Sequence, residues 1–270
     1  MTGDAECTLT LCADDFGQSP AISLRIVALA QAGRLQATSC LVNGAHWLPQ
    51  APRLADAPAA LQRGLHLNLT EGAPLSAALA RHWPQLPRLP RLIAAAHLGR
   101  LPLAALADEL AAQLGAFHAA TGRLPDHLDG HQHVHHLPGV RNLLLRLLDT
   151  LPPTTFVRST AHVGGPGFAV KRWLIERTGG RTLGRRLAQR GAAHNGVLIG
   201  CYDFIATDYR ALVQRWLAAL PAGGALLFCH PGDADGEADP IAAARLREAA
   251  YLGSAAFADD LVAAGVRLSV

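Results

Sequence analysis

Leu128-Asp129-Gly130-His131-Gln132-His133-Val134-His135-His136 sets four imidazoles and one carboxylate within nine residues, and His127 stands just before them. Residues 126–129 read as a short strand, and Leu137-Pro138 closes the run and opens a helix. Histidines just past a strand end are well placed to hold a metal. Packing seldom gathers so many imidazoles so closely, which points to metal binding or catalysis. His135 and His136 are expected behind the ligands or at the surface. Outward from this run, the chain reads as a frame that brings an acidic pair, Asp14-Asp15, to the histidines.

The frame follows from hydrophobic patterning. Thr8 to Ala13 is a largely apolar run ending at Asp14-Asp15 and predicts a buried strand. Ser19 fits an N-cap and Pro20 a first helical position, so a helix is expected to about residue 32, stopping at Gly33. Further strands are expected at 37–42, 64–69, 126–129, 155–158, 196–201, 225–229 and 266–270. On the third, His66 and Asn68 alternate with Leu65, Leu67 and Leu69. Helices are expected at 47–57, 103–121, 138–149, 208–220 and 241–264, the last broken near Gly253. Residues 71–102, rich in Pro, Arg and Leu, predict a long excursion with short helical turns that helps form a pocket.

Short apolar strands alternating with helices predict an α/β fold with a parallel sheet. The spacing suits a distorted (β/α) barrel of about seven strands, with 1–270 as a single domain. Asp14, Asp15, His66, His131, His133 and His230 then fall at or near strands, mostly at the C-terminal ends that share one barrel face.

Composition narrows the class. Half of the 270 residues are hydrophobic, enough for a sizeable core. No apolar run is long enough to predict a transmembrane helix. The acidic start, Met1-Thr2-Gly3-Asp4-Ala5-Glu6, lacks the pattern of a signal peptide, so a cytoplasmic location is expected. The five cysteines (Cys7, Cys12, Cys40, Cys201, Cys229) are scattered and read as buried core residues. A basic segment lies at about 160–195. Its core, 171–190, carries +6 while the remainder sums to −3. Such a patch attracts phosphorylated or lipid-linked substrates or a membrane surface, or is simply a solvated helix face. No aromatic interleaving supports a nucleic-acid groove. A homodimer is compatible with this reading.

One carboxylate and two imidazoles around a divalent metal leave positions for water and substrate. Asp14 or Asp15, with His66 and His131, supplies that set, and the other aspartate can take a proton from bound water. His230, in Cys229-His230-Pro231-Gly232, is a candidate acid for the leaving group. Asn68, His133 and Arg158 are candidates for substrate contact; for Arg158 a surface salt bridge is the alternative. Other metallohydrolase chemistry, on esters or phosphoesters, fits the same set, as does a non-haem iron centre. A metal-buffering or lipid-surface module is a non-enzymatic reading, but it leaves Asp14-Asp15 and His230 without a role.

At these residues the chain resembles the YdjC-like carbohydrate deacetylases, the chito-oligosaccharide and hopanoid-associated deacetylase group. The matching pieces are Ala13-Asp14-Asp15-Phe16-Gly17, Thr38-Ser39 to Val42-Asn43, Gly64-Leu65-His66-Leu67-Asn68-Leu69-Thr70-Glu71-Gly72, Leu128 to His135, and His230-Pro231-Gly232. They fall in the family's order and span nearly the whole chain. The resemblance implies a distorted barrel and a metal-dependent N-deacetylase acting on acetylated amino sugars. It implies Asp15, His66 and His131 as ligands of one divalent ion, magnesium or zinc. It further implies Asp14 as general base, and His230 as acid or substrate contact. Gly130 departs from the pattern, many members carrying Ser there; ligation is expected to be unaffected.

Overall fold

A computed structural model of the chain describes residues 7–236 and 238–269. Its sheet is built from β1 (Cys7–Phe16), β2 (Ala37–Cys40), β3 (Gln62–Leu67), β4 (His127–Gly130), β5 (Phe156–Val157), β6 (Leu198–Ile199), β7 (Ala225–Cys229) and β8 (Val266–Leu268). The order is β5-β4-β3-β2-β1-β7-β6, with every pair parallel and β8 paired to the start of β1. Isolated bridges from Val157 to His194 and from Val163 to Leu198 draw the edges of the sheet together. The result is the expected distorted barrel. Val270, the last residue of the final expected strand, and the acidic start at residues 1–6 lie outside the described residues.

Strands covered on both faces need no polar alternation, and these have little. All of β2, β4 and β7 is buried. Around the sheet, helix Pro20–Gln31 begins as its sequence requires: Ser19 accepts from the Ile22 N–H and Pro20 takes the first position. Helix Leu103–Thr121 has the expected bounds and ends at Gly122, whose φ of 68° is left-handed. The long C-terminal helix is two, Ala242–Leu252 and Ala255–Ala263, because Ser254 caps a new start by accepting from the Phe257 N–H. The helix expected at 47–57 is a single turn followed by a 3-10 stretch, with Pro52 at the junction. The excursion holds helices Ala77–His82 and Leu89–His97. It is tied to the long helix by Glu109, which accepts from the Leu75 and Ser76 N–H groups at 3.0 and 2.7 Å. Four cysteines are buried and one is half-buried; all five are free thiols. Among the described residues no helix is long and apolar enough to cross a membrane.

Candidate active site

Successive side chains of a regular strand point to opposite faces. Asp14 and Asp15 are adjacent, yet both face the same cavity. A register shift between Ala13 and Phe16 interrupts the pairing of β1 with β2, and Asp15 sits at a φ of 70°. A bulge with one residue in the left-handed region re-aims a side chain, so both carboxylates turn inward. Gln132 and His133 also take positive φ, 52° and 61°. Left-handed non-glycine residues concentrate where function holds them.

His66 and Asp129 are register partners on β3 and β4. The His66 Nδ1–H donates to Asp129 Oδ1 at 2.6 Å. That fixes the tautomer and leaves the Nε2 lone pair facing Asp15 Oδ1 at 3.6 Å. His131 Nδ1 lies 3.1 Å from Asp15 Oδ1. Its Nε2 is 3.2 Å from Glu71 Oε1 but out of line for a hydrogen bond. Burial disfavours the His131 cation, but the Asp15 and Glu71 carboxylates outweigh it and raise the imidazole to about 10. Burial would likewise raise the Asp15 carboxyl. Arg245, donating to Asp15 Oδ2 at 2.8 Å, and His131 hold it well below its usual range instead.

Donor atoms of Asp15, His66 and His131 lie within 4.8 Å of one another, spacing that suits one metal ion. Two other groupings are as compact, Cys12–His127–Asp129 and Asp14–His66–Asp129. In both, Arg158 already engages donor groups. Burial pushes the Cys12 thiol up to about 12, so it stays protonated, and Arg158 lies against its sulfur at 3.2 Å. Asp14 and Asp129 are both engaged by the Arg158 guanidinium, at 2.5 and 2.7 Å.

The expected site residues fall into two sets. Asp14, Asp15, His66, His131, His133 and His230 share a cavity of about 440 Å³ at the C-terminal ends of the strands. Asp14 Oδ2 is 4.0 Å from His66 Nε2 and 4.0 Å from His230 Nε2, within reach of both rings. Burial lowers His230 to about 4 and His133 well below its ordinary value, so both rings are neutral near pH 7. A second hollow, about 590 Å³, opens at the other ends of the strands beside Thr8, Thr10, Asn195 and Gly224. It lies away from these carboxylates.

Arg158 and Asn68 do not line the cavity. Arg158 is fully buried, and its guanidinium pairs with Asp14 and Asp129, so it is not a surface salt bridge. Asn68 organises the turn ahead of Glu71. Its Oδ1 accepts from the Thr70 and Glu71 N–H groups, and its Nδ2 donates to Asn43 and the Glu71 carbonyl. Nor are His135 and His136 on the surface. The His135 Nε2–H donates to the Arg158 carbonyl at 2.9 Å, and His136 joins Thr160 to Thr178. Four contributors lacked a role in the sequence reading: Asp129, Glu71, Arg245 and Glu248. The first two lie inside the quoted motifs, and Asp129 stands on a strand in step with His66, which was the available signal.

The basic segment splits by chemistry. Leu174, Ile175 and Lys171 line the same cavity as Asp14 and His230, together with Leu89 and Ile93 of the excursion. Arg177, Arg181 and Arg185 line a separate surface hollow with His162.

The family described as YdjC-like protein matches residues 8–263. The chain is 34% identical over 253 residues to a mouse (Mus musculus) protein named carbohydrate deacetylase, covering 83% of this chain and 77% of that one. It is 31% identical over 236 residues to a chitooligosaccharide deacetylase of Klebsiella pneumoniae strain 342, covering 85% and 83%. A crystal structure from Enterococcus faecalis V583, provisionally described as a cellobiose-phosphate cleavage protein, superposes with a TM-score of 0.73 at 20% identity, over 98% of this chain and 97% of the other. That last likeness concerns the fold.

Proposed function

The chain belongs to the YdjC-like protein family, and we propose that it is a metal-dependent carbohydrate deacetylase that hydrolyses the N-acetyl group of an acetylated amino sugar and releases acetate. The observation that carries this reading is the convergence of Asp15, His66 and His131 with Asp14 and His230 on one cavity floor. The names of the relatives supply the substrate class.

Asp15, His66 and His131 would hold the ion. Two imidazoles and one carboxylate favour zinc over magnesium, which prefers oxygen ligands. When bound, a divalent ion supplies a Lewis acid for the acetyl carbonyl and lowers the pKa of water. Asp14, fixed by Arg158, accepts the proton of the attacking water. Water's oxygen bonds to the acetyl carbon and the carbon–nitrogen bond breaks. The proton passes from Asp14 to His230, 4.0 Å away, and on to the departing amine. A neutral His230 suits this order, since it becomes an acid only after receiving that proton. His133, uncharged and packed edge-on against Phe228, offers the sugar a polar contact.

Apolar walls at Leu89, Ile93, Leu174 and Ile175 favour a lipid-linked sugar over a phosphorylated one, because the arginines of the basic segment face elsewhere. A panel of N-acetylated, O-acetylated and phosphorylated saccharides tests the reaction class. Turnover confined to the N-acetyl members is expected. Cleavage of the esters or phosphates alone would make the protein a different metallohydrolase.

A further inference from the structure

We propose that helix Ala169–Ile175, at the rim of the cavity, and the arginines of the hollow beside it form a docking surface for an anionic lipid bilayer. This helix is alone among the described helices in burying none of its residues. Val170, Trp173 and Leu174 are 73, 54 and 47% exposed. Their i, i+3, i+4 spacing puts them on one face. An exposed apolar patch of this kind marks an interaction surface.

Two neighbours extend it. Ile205, 77% exposed, follows Phe204, which lines the cavity. Lys171 ties that loop to the helix: its Nζ donates to the Tyr202 carbonyl at 2.6 Å and lies 4.7 Å from the centre of the Phe204 ring. Leu174 is both exposed and part of the cavity lining, so the apolar surface runs over the rim and inward.

Charge adjoins the patch. The Arg177 guanidinium lies 5.9 Å from the Trp173 ring, and Arg177 shares its hollow with Arg181 and Arg185. Glu176 pairs with Arg181 at 2.7 Å and offsets one of the three. Tryptophan beside arginine is the pairing that sits at headgroup depth, the ring among the acyl ends and the cation among phosphates. A soluble phosphate would account for the arginines and leave Val170, Trp173 and Ile205 unexplained. A second copy of the chain, meeting face to face, would set one +6 segment against another.

The docking surface does not depend on the reaction assigned above, and its test is separate. The full chain is sedimented with vesicles of phosphatidylcholine alone and of phosphatidylcholine mixed with phosphatidylglycerol. Binding to the anionic vesicles only, weakening with salt, is expected. The triple variant Arg177→Gln, Arg181→Gln, Arg185→Gln should partition on the order of 100-fold less. Val170→Ser with Trp173→Ala should also lose binding. Both variants should keep the wild-type melting temperature and acetate release from a short soluble N-acetylated saccharide. Absence of sedimentation with anionic vesicles at low salt would overturn the proposal. So would loss in the arginine variant with full binding in the Val170/Trp173 variant, which would reduce the arginines to a site for soluble phosphate.

Discussion

Asp129 holds His66 by its far nitrogen. The 2.6 Å hydrogen bond from His66 Nδ1 to Asp129 Oδ1 spans two neighbouring strands and points Nε2 at Asp15. Such carboxylate–imidazole pairs orient a ligand and raise its basicity. Asp129→Asn should therefore lower metal affinity by about 10–100-fold. Titration of the protein with zinc against a competing chelator checks this; unchanged affinity would remove Asp129 from the metal site.

Arg158 lies between two buried carboxylates, Asp14 and Asp129. Removing one partner of a buried ion cluster leaves uncompensated charge, which costs about 3–5 kcal/mol. Arg158→Ala should lose that much in denaturant unfolding. Arg158→Lys should recover part of it, keeping the charge without the two-pronged fork.

Glu248 contributes to the pH dependence of stability. Burial raises this carboxyl to about 7, although the Tyr202 hydroxyl and the His230 N–H both donate to it at 2.5 Å. The folded value lies above the ordinary 4.5, so the folded state binds the proton more tightly. Its stabilising contribution is complete below pH 4.5 and is lost as pH rises through about 7. Up to about 3 kcal/mol is at stake over that window. Relative to Glu248→Gln, the wild type should lose stability as pH rises from about 5 to 8. Equal slopes would contradict the assignment.

Gly130 is required by packing. A Cβ there would sit 2.9 Å from the His135 backbone nitrogen and 3.0 Å from its Cβ. Its φ of −159° is ordinary extended backbone, so the constraint is contact and not conformation. Gly130→Ser should cost about 1–3 kcal/mol, read as a lower melting temperature.

The legible parts of the fold were those with local causes. Helix 103–121 carries a long apolar periodicity and a terminal glycine. β7 is a bounded apolar run, and its limits match the expectation. β5 and β6 shrank to two residues each because the closing edges of the barrel pair through isolated bridges, which no local pattern encodes. Among site residues, the aspartates and histidines of the quoted motifs converge as expected. The bulge that turns Asp14 and Asp15 the same way depends on the register with β2, and was not readable. Arg158 looked like an exposed strand end until the curvature of the sheet enclosed it. Arg245 and Glu248 sit three apart on a helix whose charged residues would ordinarily face water, yet both point into the barrel.

Acetate release from N-acetylated saccharides, measured with the metal-reconstituted protein, tests the central claim most directly. The account predicts release that chelation abolishes and zinc restores. It also predicts a fall of about 10²–10⁴-fold in folded Asp14→Asn. Wild-type release by Asp14→Asn, or release indifferent to chelation, would contradict it.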